Sequence, residues 1–146
     1  MNLLLSIDTF LITTFRKIAE PFARVSLFLI YFWFGILKII GTSPANPLVQ
    51  ALMEKTLPFM TPSQFIIGFS IYEMVIGISF LFTKLTRVSI ILIGAHMVMT
   101  SLPLFMLPGL WQDFLTPTLE GQYIIKNLVI IATAMFIGAR LTPNKE

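Results

Sequence analysis

Four runs of mostly apolar residues, about 22–40, 65–82, 88–107 and 123–141, constrain this chain more than any other feature. Each holds 18 to 20 residues, and a helix needs about 20 to cross bilayer hydrocarbon at about 1.5 Å per residue. A β-barrel would need many segments of about ten residues in strict alternation. Composition closes the soluble routes: 56% of residues are hydrophobic and 12% charged, about half the charge of an ordinary soluble domain. A chain of 146 residues cannot bury that much apolar surface in water. With no cysteine, thiol–disulfide chemistry, thiolate zinc sites and iron–sulfur clusters are excluded. Ten basic residues scattered through apolar sequence make no stripe for nucleic acid. The expected fold is all-α: an integral membrane four-helix bundle, one domain over 1–146, with the lipid bilayer as its surroundings.

Boundary residues support helices. Thr61-Pro62-Ser63-Gln64 reads as a capping box with proline at the first helical position. Asn46-Pro47 starts a short segment to Leu57, with Leu48, Val49, Leu52, Met53 and Thr56 on one face. That helix is expected to lie on the membrane surface or to cap the bundle, ending at Pro58. Pro103 predicts a kink that frees the carbonyl of Met99. Residues 1–20 place Leu4, Ile7, Leu11, Phe15 and Ile18 at helical spacing, followed by Arg16 and Lys17 within the same stretch. A secretory signal carries its positive charge before the apolar run. The reading is an amphipathic interfacial helix, bent into the first span at Pro21.

Orientation follows from the basic residues. Arg16, Lys17, Arg24, Lys84, Arg87, Arg140 and Lys145 share the side of the termini, against Lys38, Lys55 and Lys126 on the other. The excess places both termini in the cytoplasm.

Charges inside apolar runs carry the functional signal, since each costs about 2.5–3.5 kcal/mol to insert. Glu73 lies near the middle of the second run, while Lys38 and Lys126 lie about one turn from the outer ends of theirs. Polar stripes recur on all four helices: Tyr31, Gly35 and Lys38; Ser70, Glu73 and Gly77; Ser89, His96, Thr100 and Pro103; Tyr123, Lys126, Thr133 and Arg140. All four are expected to face the bundle interior, with Gly35, Gly77 and Gly94 letting backbones approach. Glu73 either does chemistry or pairs with Lys38 or Lys126 to fix helix register. The lysines either bend inward to it or extend to headgroups. His96 is either a hydrogen-bonded packing residue or a ligand. The candidate polar cluster is Glu73, Lys38, Lys126 and Asn127, and the candidate cofactor contacts are His96, Tyr31 and Trp33.

One histidine cannot make a bis-histidine haem site, and no phosphate loop or metal cluster appears. Haem, flavin and metal are therefore not expected. A quinone headgroup needs only an apolar slot with one or two polar partners, which Glu73, His96 and Tyr31 supply.

The same residues carry a family likeness. Arg24-Val-Ser-Leu through Phe32-Trp33-Phe34-Gly35-Ile36-Leu37-Lys38 resembles the first span of DoxX-like membrane proteins, especially the YkgB-type branch. Asn46-Pro47-Leu48-Val49 is similar to that branch's Pro-Leu-Val. Tyr72-Glu73-Met74-Val75-Ile76-Gly77 resembles its Glu-x-x-x-Gly, and Gly121-Gln122-Tyr123-Ile124-Ile125-Lys126-Asn127-Leu128 the start of its fourth span. The resemblance covers about residues 24 to 140, with Asn127 standing where that branch usually has Asp. It implies a four-helix protein of the bacterial inner membrane, associated with oxidoreductase complexes, quinone-linked sulfur oxidation and resistance to oxidants, reactive chlorine included. Lys38, Glu73, Lys126 and Asn127 are the matching site positions.

The leading expectation is a small membrane subunit of a redox or oxidant-stress-defence system, quinone-binding, with an oxidoreductase partner protein. One alternative is a proton-coupled or small-solute carrier working as a homo-oligomer, because this length holds no inverted repeat. The other is a purely structural membrane partner.

Overall fold

The structure is a computed structural model that describes residues 2–142; Lys145, counted above for orientation, lies outside them. Among the described residues there are seven α-helices: α1 (Asn2–Ile39), α2 (Asn46–Thr56), α3 (Pro62–Phe80), α4 (Thr86–Ser101), α5 (Pro103–Met106), α6 (Leu119–Ile125) and α7 (Asn127–Gly138). Counting α4 with α5 and α6 with α7, four helical segments are long and apolar enough to cross a membrane. In contact order they close a ring: α1 meets α3, α3 meets α4, α4 meets α7, and α7 meets α1. The shared core is Leu27, Tyr31, Ile76, Phe80, Ile93, Met97, Ala134 and Ile137. Outward faces stay apolar, as at Ile71, Ile91, Val98 and Val129.

The capping box at α3 forms as expected. The Gln64 amide donates to Thr61 Oγ1 at 3.4 Å, and the Thr61 amide donates to Gln64 Oε1 at 3.3 Å. Gly41, at φ +78°, ends α1 in the left-handed conformation that glycine adopts without strain. The α2 face of Leu52 and Met53 is buried against α3. Asn46 does not cap this helix; its Nδ2 donates to the Lys38 carbonyl at 3.3 Å.

Several expectations are corrected. α1 runs unbroken through Pro21 from Asn2 to Ile39, so the N-terminal amphipathic helix and the first span are one element. Proline's φ is already helical and it deletes a single hydrogen bond. Arg24 also clamps Glu20 across that position with bonds of 2.9 and 3.0 Å. Pro103 does break the third span, yet the Met99 carbonyl is not left free: the Leu102 amide takes it at 3.3 Å in a tighter turn. The fourth span begins four residues earlier than expected, at Leu119, and is stepped at Lys126. Between α5 and α6 stands a small antiparallel hairpin, β1 (Trp111–Asp113) with β2 (Thr116–Pro117), which periodicity had not suggested.

Two of the three glycines assigned to close approach serve it. A Cβ on Gly35 would lie 2.7 Å from Met74 Cγ and 2.9 Å from the Ser70 carbonyl oxygen, and one on Gly77 would lie 3.0 Å from the Phe32 nitrogen. Gly94 instead faces open space. Gly35→Ala is therefore expected to destabilise by about 1–3 kcal/mol through overpacking at the α1–α3 crossing. Gly94→Ala should be neutral or stabilising by up to about 1 kcal/mol from helix propensity. Unfolding curves of both variants in mixed micelles check the contrast.

Candidate functional site

The polar stripes of α1, α3 and α4 converge in the interior, with Lys38 coming from the α1 end nearest α2 and Glu73 from within α3. Lys38 leaves the last turn of α1 and bends inward, so its Nζ donates to both carboxylate oxygens of Glu73, at 2.9 and 2.7 Å. His96, on α4, places Nε2 3.2 Å from Glu73 Oε1. Its other nitrogen, Nδ1, lies 3.3 Å from the Tyr31 hydroxyl. All four residues are buried, at 3–6% exposure, so Lys38–Glu73–His96–Tyr31 is one continuous chain shielded from solvent. Phe69 stacks on the His96 ring at 5.1 Å and lies under Lys38 Nζ at 5.9 Å. Tyr72 is near the same ring but gives its hydroxyl proton to the Leu92 carbonyl, at 2.6 Å.

The partners assign the imidazole's protons. A carboxylate only accepts, so Nε2 carries a hydrogen toward Glu73. Nδ1 then accepts from the Tyr31 hydroxyl in the neutral ring. When His96 is protonated, Nδ1 becomes a donor and the Tyr31 oxygen can accept after its hydroxyl turns. The cluster thus takes up or releases one proton without losing a hydrogen bond along its length. Lys38 and Glu73 cancel in charge, so only the added proton changes the net charge.

The other sequence-derived residues lie elsewhere. Lys126 is exposed and sits over the Tyr123 ring at 4.7 Å, not beside Glu73. Asn127 opens α7 and is partly buried outside the cluster. Trp33 points outward at 62% exposure, on the face of α1 away from Tyr31 and Lys38. The fourth polar stripe does not face inward: α7 turns Ala134 and Ile137 to the core, while Tyr123 on α6 and Arg140 just past α7 are exposed. The choice between lysines is thereby made for Lys38.

A further buried charge was missed by counting Arg24 as a flanking cation. Arg24 is buried and donates to the Phe80 carbonyl at 3.1 Å and to Thr86 Oγ1 at 3.0 Å, besides its pairing with Glu20. It joins the C-terminus of α3 to the start of α4. The spacing of Glu20 and Arg24, four residues apart, was the available signal.

No protein-family model matches the chain, and no curated protein or solved structure is significantly similar to it.

Proposed function

We propose that the chain is a membrane-embedded four-helix bundle of the DoxX-like kind, in the bacterial inner membrane with cytoplasmic termini. It serves as a small subunit of a redox or oxidant-stress-defence system, working with an oxidoreductase partner. Supporting the membrane reading are four sufficiently long apolar helices whose outward faces are themselves apolar. Supporting the functional reading is one observation: Glu73 is held by Lys38 on one side and His96 on the other, in a buried chain that ends on Tyr31. Ionisable groups at such positions in membrane helices are functional by default.

In this reading His96 holds the exchangeable proton at Nδ1, Tyr31 reorients to follow it, and Glu73 stabilises the charged ring. Lys38 holds the Glu73 carboxylate through two hydrogen bonds. A quinone headgroup is the partner this donor set suits, because Lys38 has a third N–H beyond the two given to Glu73, and Tyr31 presents a hydroxyl. When bound, it supplies electron transfer coupled to proton uptake. Trp33, on the opposite face of α1, takes no part.

Glu73→Gln preserves shape and most hydrogen bonds but removes the ionised centre. At matched protein level it is expected to fail to restore oxidant resistance in a strain lacking the protein. Full restoration at matched protein level would make the cluster a register-fixing ion pair, the structural-partner reading.

A further inference from the structure

We infer that the Glu73 cluster exchanges protons, and meets its reaction partner, only from the end of the molecule that carries α2. The inference rests on the reading of Glu73 and His96 as a proton-exchanging pair. Two buried polar groupings lie along the interior, and the space between them is dry. Tyr31 and Arg24, Glu73 and Phe80, and His96 and Ser89 are each separated by two helical turns, about 10 Å along three neighbouring helices. That interval is filled by Leu27, Ile76, Ile93, Ala134 and Ile137, all packed in one core with exposures of 0–4%.

Proton transfer needs an unbroken hydrogen-bond chain, and an apolar, closely packed layer holds no water to supply one. The hydroxyls nearest the far grouping do not bridge it. Ser79 donates to the Ile76 carbonyl at 2.7 Å, Ser89 to Leu85 at 2.9 Å, and Thr86 to Thr83 at 2.7 Å. Each bond runs three or four residues back along its own segment.

The opposite side of the cluster is different in kind. Its cover is Phe69 of α3, stacked on His96, with Phe65 and the flexible Met53 of the short helix α2 packed against it. Beneath the start of α2, Asn46 donates to the Lys38 carbonyl while its buried Oδ1 has no hydrogen-bond partner. Such an acceptor, next to the turn that carries Lys38, suits a water or a donor group arriving from that end. The cluster is therefore reached by moving α2 and Phe69, whereas the other end is sealed by the core itself. A chain built this way does not conduct protons across the membrane.

The absence of cysteine makes the test direct. Single thiols are introduced by Glu73→Cys and, separately, Tyr31→Cys, with Phe114→Cys and Thr142→Cys as reference positions for the two ends. Sealed vesicles of both orientations receive a membrane-impermeant, positively charged thiol reagent. The expected result is modification at 73 and 31 only in the orientation that modifies position 114, with Met53→Ala raising the rate about tenfold or more. Modification in the orientation that reports position 142, or in neither, overturns the inference. Unaltered protein in liposomes should dissipate a proton gradient no faster than protein-free liposomes; faster dissipation also overturns it. Loss of the redox reading through Glu73→Gln leaves these accessibility results untouched, so the two failures are distinguishable.

Discussion

Lys38→Met is expected to destabilise the protein by about 3–5 kcal/mol, because Glu73 is then left charged in apolar surroundings. Both residues are at most 6% exposed, so little solvent is available to relieve the orphan. His96 remains as a hydrogen-bond partner, with Nε2 3.2 Å from Glu73. Glu73→Met should be at least as damaging, leaving the ammonium unpaired. The double variant should lose less than the sum of the two, as neither charge remains to be desolvated. Reversible unfolding in mixed micelles measures all three. Strict additivity would show that the two residues do not interact in the folded protein.

Arg24→Met is expected to lose about 3 kcal/mol, the second largest effect. Hydrogen bonds from a charged donor to buried acceptors contribute roughly 1.5–3 kcal/mol each, and Arg24 makes two, to Phe80 and Thr86. Its substitution also strips the partly buried Glu20 of its nearest cation, leaving Arg140 at 3.5 Å as a weaker replacement. Lys at position 24 should recover only part of the loss. A single ammonium cannot reproduce the guanidinium fork that reaches Glu20, Phe80 and Thr86 together. The measurement is again the unfolding free energy, with loosening of the α3–α4 turn read by proteolysis near Lys84.

Most of the helical architecture was legible beforehand because its causes are local. Run length and hydropathy fix where a helix can cross hydrocarbon, and Thr61-Pro62-Ser63-Gln64 carries its own cap chemistry. That the helix continues through Pro21 was less legible, because the Glu20–Arg24 pair that clamps this turn was not weighed. The hairpin at 111–117 was not visible, since two strands of three and two residues have no periodicity to detect.

For the site, face assignment was within reach on three helices and failed on the fourth. Tyr31, Lys38, Glu73 and His96 each lay on a recognisable stripe, because an interior-facing polar group stands out against apolar neighbours. On the fourth span the same pattern marked an outer surface, where Lys126 rests on Tyr123 and Arg140 on Phe136. A stripe shows that residues share a face; it does not show which way the face turns. What the amino-acid order determined alone was therefore the four long apolar helical segments and most of the short set of expensive charges. The tertiary structure decided which of those charges meet, selecting Lys38 over Lys126 for Glu73, recruiting His96 and burying Arg24. Pairing depends on helix rotation and neighbour order, and these are settled by packing between segments far apart in the chain.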